Sequence, residues 1–127
     1  MTPSVPSVLS ELANLLMRNA MPGVPDAERA NALGLSSMLL SLAAEAWDGA
    51  AEHLVQENRA LAKLLDEIAI EDDLRLSALR AENARLRGLL IVVHADAEQA
   101  GDIPRQNAIW AELRASTERR RISTSLV

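Results

Sequence analysis

Apolar residues recur along most of the chain at the three- and four-residue spacing that places side chains on one face of an α-helix. The longest stripe consists of Leu33, Ser37, Leu40, Ala44, Trp47, Ala51, Leu54, Asn58, Leu61, Leu65 and Ile68. A second stripe consists of Leu76, Leu79, Asn83, Leu86, Leu90, Val93, Ala97 and Ala100. The pattern predicts two long helices, over about 26–69 and 73–100.

The first stripe fails at residues 70–73, because its next positions would be Asp72 and Arg75, and burying unpaired charge is costly. We therefore expect a turn there, with Asp72 or Asp73 capping the second long helix. The two long helices are expected to form an antiparallel, coiled-coil-like hairpin in which paired residue numbers add up to 144.

Shorter helices are expected at both ends of the chain. Ser4 or Ser7 can cap a first helix that ends at Met21-Pro22-Gly23, and Pro25 is well suited to open the helix that follows. Asp102-Ile103-Pro104 is expected to start the last helix, which leads into a tail at 122–127 that we predict to be disordered.

One alternative concerns the middle of the first long helix. Gly49 follows Asp48, a residue type that can cap a new helix. A glycine costs about 1 kcal/mol in a helix interior, which the alanine-rich flanks can offset. One long helix with a kink and two shorter helices both remain open.

Composition supports an all-α fold. The chain has 127 residues, of which 49% are hydrophobic but only 2% aromatic, so leucine, alanine, valine, isoleucine and methionine must fill the core. Strands favour aromatic and β-branched residues. We predict a single helical domain over 1–127, a bundle of four or five helices.

The two long helices share the pattern ENxxLxxLL, which begins at Glu57 and again at Glu82. It resembles the heptads of leucine-zipper coiled coils, in which an asparagine at one core position fixes the register. Asn58 and Asn83 are expected to lie in adjacent layers of the hairpin and to bind each other there. Such a pair would satisfy amide groups that a leucine-rich seam leaves unpaired.

Few residues suggest a catalytic or metal-binding site. His53 and His94 each have a glutamate four residues later, Glu57 and Glu98, which we interpret as surface ion pairs. Neither histidine belongs to a Glu-x-x-His pair of the kind that binds metals in helical bundles. The acidic residues at 66–73 and Arg119-Arg120-Arg121 are interpreted as solvated surface. We therefore expect no catalytic residue, no metal and no cofactor.

Net charge and cysteine content limit the classes of partner and the cellular compartment that we expect. The net charge of −5 argues against nucleic acid and anionic lipid as main partners, and the absence of cysteine fits a reducing, cytoplasmic setting. Residues 26–44 can be placed on a helix-turn-helix template. The reading face would then be Ser36, Ser37, Met38, Ser41 and Leu42, without a side chain typical of base recognition, so DNA binding is the least favoured hypothesis.

The first long helix carries more apolar surface than one chain can cover. Leu33, Leu35, Met38, Leu39, Leu40 and Leu42 surround most of its circumference. Monomers seldom expose a contiguous apolar patch of several hundred Å². The sequence therefore predicts a non-enzymatic assembly or adaptor protein that acts as a homodimer, with an unidentified protein partner left open. The alternative is a small-molecule module with an alanine- and leucine-lined pocket.

Overall fold

The computed structural model describes residues 3–122 and shows an all-α bundle. It is 82% helical with no strand among the described residues. The elements are α1 (Val5–Leu15), a π-helical turn (Leu16–Ala20), a 3₁₀ turn (Met21–Gly23), α2 (Ala27–Leu64), α3 (Leu76–Ala100) and α4 (Ile103–Arg119). The predicted fold class is confirmed. The predicted disordered tail, 122–127, lies outside the described residues except for Ile122.

Local capping explains where three of the helices begin. Ser4 caps α1 by accepting a hydrogen bond from the backbone of Ser7, and Asp102 caps α4 by accepting one from the backbone of Arg105. At α2 the cap is Asp26, whose Oδ1 accepts from the backbone N–H of Glu28 at 2.9 Å. Pro25 therefore precedes the cap and is not the first helical residue.

The turn between the long helices is wider than the sequence suggested. The first long helix ends at Leu64 rather than near residue 69, because Asp66 adopts a left-handed conformation with a φ of 56°. The N–H groups of Asp66 and Glu67 donate to the carbonyls of Lys63 and Ala62, which is the hydrogen bonding of a Schellman motif. Ile68, expected on the buried stripe, is 85% exposed.

The third helix also begins later than expected. It starts at Leu76, and its cap residue Arg75 makes no side-chain cap. Asp73 binds the backbone N–H of Arg75 at 3.0 Å instead, so this aspartate orders the turn two residues before the cap. The prediction that Asp72 or Asp73 is the cap residue was wrong.

The described residues fall into two compact units: residues 3–49 together with Ile122, which we call the 3–49 unit, and Ala50–Arg121. The boundary follows Asp48-Gly49, where the sequence left a kink or a break open. Helix α2 continues through this point without interruption. The single domain over 1–127 stays a prediction.

In the 3–49 unit, a buried hydrogen bond joins α1 to α2. The hydroxyl of Ser37, which is 7% exposed, donates to the carbonyl of Ala13 at 2.9 Å. Ala13 and Ala44 are also buried, so small residues line the contact side of each helix. The predicted stripe is thus correct here for Ser37 and Ala44, whereas Trp47 is 51% exposed.

The core of the 50–121 unit combines residues from three helices. Leu61 and Ala62 of α2, Leu86 and Leu90 of α3, and Ile109 of α4 form one buried cluster. The stripe predicted for α3 agrees well with burial, since Leu79, Asn83, Leu86, Leu90 and Ala97 are all buried. Hydrogen bonds link α2 to α3. The antiparallel pairing of these two helices, with paired residue numbers that add up to 144, stays a prediction.

The two left-handed residues at the helix ends generate a stability prediction. Asp66 and Gly101 are the described residues with a positive φ, 56° and 66°, and a glycine pays no steric penalty there. We expect Asp66→Gly to raise the free energy of unfolding by about 1 kcal/mol and Gly101→Ala to lower it by a similar amount. Urea unfolding measures both changes. A destabilised Asp66→Gly variant would contradict this account of the turn.

Candidate functional site

A buried carboxylate organises the polar residues of the 50–121 unit. Glu57 on α2 is 2% exposed, yet both of its carboxylate oxygens accept hydrogen bonds from charged or polar side chains. Oε1 accepts from Asn83 at 3.0 Å, from Arg87 Nη2 at 2.6 Å and from Arg120 Nη2 at 2.7 Å. Oε2 accepts from Ser116 at 2.9 Å and from Arg120 Nε at 3.2 Å.

These partners come from two separate parts of the chain, α3 and the end of α4. Asn83 and Arg87 are one turn apart on α3, whereas Ser116 lies on α4 and Arg120 directly follows it. Arg87 also donates to the amide oxygen of Asn83 at 3.0 Å and to the Ser116 hydroxyl at 3.1 Å. The carboxylate therefore ties α2, α3 and the end of α4 together.

The surroundings of Glu57 keep it ionised. Burial by itself raises the pKa of this carboxyl, but hydrogen bonds from Arg87, Arg120, Asn83 and Ser116 together outweigh burial and lower the pKa to about 2. The two guanidinium groups also compensate the buried charge, which would otherwise be very costly. Glu57 therefore carries its negative charge at neutral pH.

The two asparagines adjoin this carboxylate. The Nδ2 of Asn83 donates to the Oδ1 of Asn58 at 2.9 Å, and the Nδ2 of Asn58 donates to the backbone carbonyl of Leu79 at 3.1 Å. Asn58 is fully buried and Asn83 is 7% exposed. The structure thus brings together the two residues that the sequence nominated as a polar layer and adds Glu57 to them.

The second copy of the ENxxLxxLL pattern is buried in the same way, with different partners. Glu82 is 6% exposed and accepts a hydrogen bond from Arg85 Nη2 at 2.8 Å. It also accepts one from the backbone N–H of Ile70, at 3.1 Å. The hydrogen bond from Arg85 is the main cause that lowers the pKa of Glu82. Glu82 thereby connects α3 to the turn that precedes it.

This arrangement suits a structural role. A general acid or base must exchange a proton near the working pH. Glu57, with a pKa of about 2 and both oxygens occupied by donors, does not meet that requirement. Among residues 3–122, no group of three or more histidines, cysteines, aspartates and glutamates could hold a metal ion. The buried carboxylate instead orients the helices that bind it.

The residues nominated for a dimer contact lie in the other unit, the one over residues 3–49. Leu35 and Leu39 are 53% and 55% exposed, and Met38 is 37% exposed. Leu33, Leu40 and Leu42 are half-buried. The nominated set therefore divides into three exposed and three half-buried residues.

The two histidines behave differently from each other. His94 Nε2 lies within ion-pair distance of Glu98 Oε1, at 3.5 Å, but this nitrogen is buried and makes no hydrogen bond; the ring meets Trp110 edge-on with the centroids 5.6 Å apart. The surface pair expected between His53 and Glu57 was wrong, because Glu57 is buried against arginines while His53 is exposed.

Sequence reasoning missed three members of the site: Arg87, Ser116 and Arg120. Arg120 belongs to the basic run that was interpreted as solvated, and its neighbour Arg119 pairs with Glu112. In the acidic turn Asp66, Glu67 and Asp72 are exposed, as expected, and Glu71 accepts a hydrogen bond from the exposed Arg59 at 2.6 Å. The signal available in the sequence was the repeated Glu-Asn pair, because a glutamate that is buried beside a core asparagine requires cations from elsewhere in the chain.

Comparisons with known proteins give no further guide. No protein-family model, no curated protein and no solved structure matches the chain. None of the helices in the described part of the chain is both long and apolar enough to cross a membrane. Function must therefore be inferred from the geometry of the chain itself.

The buried charge predicts a pH-dependent stability. Glu57→Gln removes the counter-ion of Arg87 and Arg120, whose side chains are 37% and 53% exposed and therefore partly solvated, so we expect the free energy of unfolding to fall by about 1 to 3 kcal/mol at pH 7. The folded-state pKa is about 2, below the ordinary value of 4.5, so the stabilisation is present above pH 4.5 and is lost as the pH falls towards 2.

Urea unfolding of the wild type and of Glu57→Gln between pH 7 and pH 2.5 tests this. The difference in the free energy of unfolding between the two proteins should become smaller as the pH decreases. The exposed Glu52→Gln is the matched control and should track the wild type throughout. A difference in the free energy of unfolding that stays constant with pH would refute the assigned charge state of Glu57.

The amide contact predicts energetic coupling. Replacing Asn58 or Asn83 alone by leucine leaves buried donors or acceptors unpaired, at about 1 to 3 kcal/mol for each unpaired group. The double variant should cost less than the sum of the two single variants, and Asn83→Leu should cost more than Asn58→Leu because Asn83 also binds Glu57. A cycle that pairs Asn58 with the exposed Asn107 is the control and should be additive.

Proposed function

We propose that this protein is a non-enzymatic helical assembly protein that associates with a second copy of itself through the 3–49 unit. The observation that carries the proposal is an apolar, uncharged surface on the side of α2 that faces away from α1. Leu35 and Leu39 form its centre.

The geometry of α2 explains why this surface is unusual. A helix turns by about 100° per residue, which places Leu35 and Leu39 on one face and Ser37 and Ala44 on the opposite one. Ser37 and Ala44 are buried on the side of α1. A helix at the surface of a monomer normally presents charged residues opposite its buried face. From Ala30 to Ala44 this helix has no charged residue.

Helix α1 contributes a second apolar stripe in the same unit. Val5, Val8, Leu12 and Leu15 are 42–44% exposed and follow steps of three, four and three residues. This is the spacing by which helices pack in bundles. Two helices from each of two copies would give a four-helix bundle with closed two-fold symmetry.

The polar layer of the 50–121 unit supports an architectural role. Its carboxylate is saturated with donors and holds three helices in one arrangement. Neither the depressed pKa nor the geometry favours proton transfer. The chain thus combines a rigid helical unit with a unit whose outer surface requires a partner.

The proposal predicts that a double substitution in the apolar surface lowers the molecular mass in solution. We expect the wild type to sediment with the mass of at least two chains at micromolar concentration. Leu35→Glu combined with Leu39→Glu should reduce that mass, because two carboxylates would be buried at the contact. Both side chains are more than half exposed, so the fold of the single chain should tolerate the change.

A matched control places the same chemistry elsewhere. Ile68→Glu combined with Leu74→Glu changes two side chains that are 85% and 63% exposed, in the turn between α2 and α3. The control should keep the mass of the wild type. A monomeric wild type, or a Leu35→Glu/Leu39→Glu variant of unchanged mass, would overturn the proposal.

A further inference from the structure

A second outward surface lies on α3, on the face opposite its buried stripe. At about 100° per residue, Ala84, Gly88, Ile91 and Ala95 lie opposite Leu86 and Leu90. All four are exposed, and Ile91 is 72% exposed. No charged residue lies at the centre of this face between Ala81 and Ala95. We refer to Ala81, Ala84, Gly88, Ile91 and Ala95 as the outer α3 face.

Gly88 leaves a gap in the middle of this face, because it has no side chain. A glycine in a helix interior costs about 1 kcal/mol relative to alanine. Nothing lies within 4 Å of the position that a Cβ would occupy at Gly88, so no neighbour in the described chain requires a glycine there. A missing side chain on an exposed helix does, however, let another helix approach closely.

The outer α3 face is complementary to itself when two copies run antiparallel. We propose that α3 of one copy packs against α3 of a second copy with paired residue numbers that add up to about 179. Ile91, the most exposed large hydrophobic side chain of the helix, then fits over Gly88 of the other copy. Ala84 faces Ala95 of the other copy. Each contact occurs twice, as two-fold symmetry requires.

The charges beside the face agree with this direction. Arg80 lies near the start of α3 and Glu98 near its end, on the same side of the outer face by helical geometry. Both are exposed. Antiparallel packing brings Arg80 of one copy beside Glu98 of the other, whereas parallel packing at the same register would align Arg80 with Arg80. Charge thus favours the antiparallel arrangement over the parallel one.

This contact differs from the one proposed for the 3–49 unit and does not depend on it. A chain with two different self-complementary surfaces can link dimers into larger assemblies. The two contacts can be tested separately, because Leu35 and Leu39 lie on α2 and the outer α3 face lies in the 50–121 unit. Experiments on α3 are therefore best made with the Leu35→Glu/Leu39→Glu variant and repeated with the wild type.

Disulfide formation tests the register directly, because the chain contains no cysteine. Ala84→Cys and Ala95→Cys are made as separate proteins, oxidised with diamide alone and as an equal mixture, and examined by non-reducing electrophoresis. The mixture should give a covalent dimer joining one copy of each. Each variant alone should not, since its two thiols would be about 16 Å apart along the helices, beyond disulfide reach.

The outcomes discriminate clearly. A mixture that gives no covalent dimer overturns the contact. Covalent dimers formed by Ala84→Cys alone, as efficiently as by the mixture, overturn the antiparallel direction. Failure of the cross-link together with a mass reduction by Leu35→Glu/Leu39→Glu would leave the proposed function intact and remove only the α3 contact.

A charge exchange provides a second measurement that does not require cysteine. Arg80→Glu and Glu98→Arg each place like charges together twice in the dimer, so we expect each to weaken association about tenfold in sedimentation equilibrium at low salt. The doubly exchanged variant should return to within about threefold of the original affinity. Two single variants with unchanged affinity, or a double variant weaker than both, would overturn the pairing.

Discussion

The carboxylate of Glu57 is the constraint on which the 50–121 unit depends. A buried negative charge is tolerable only when cations and hydrogen-bond donors surround it, and here they come from α3 and from the end of α4. Because these donors must converge on two oxygen atoms, they restrict how each helix can rotate and slide. A leucine core alone would permit neighbouring registers, since one leucine can replace another with little loss.

Asn58 and Asn83 extend this constraint along the contact between α2 and α3. Asn83 binds Glu57 and Asn58 at once, so the neutral amide layer and the charged layer form one network. Asn58 in turn donates to the backbone carbonyl of Leu79, so it binds the backbone of α3 as well as a side chain of that helix. Specificity of arrangement is the best-attested use of buried polar groups in helical assemblies. The cost of desolvating these groups is offset only in the native register.

The sequence predicted the parts of this fold that repeat and missed those that depend on distant partners. The stripe on α3 correctly predicted the buried side of that helix, because its leucines all lie on one face. Glu57 was misjudged because it lies one residue from Asn58, about 100° around the helix, on a side that a single stripe does not describe. Its burial requires α4, and Arg120 is 63 residues away. The end of α2 was missed for a local reason, since Asp66 tolerates the left-handed conformation and terminates the helix before its apolar pattern ends.

The core of the 50–121 unit determines which side of α3 faces outward. Leu86 and Leu90 belong to the buried cluster to which all three helices contribute. Helical geometry then places the outer α3 face on the opposite side of the helix. Asn83 and Arg87 lie on the flank between these two sides, and both bind Glu57. The buried charge therefore adds a second restraint on the rotation of α3, so it helps to hold the outer α3 face in one orientation relative to the rest of its unit.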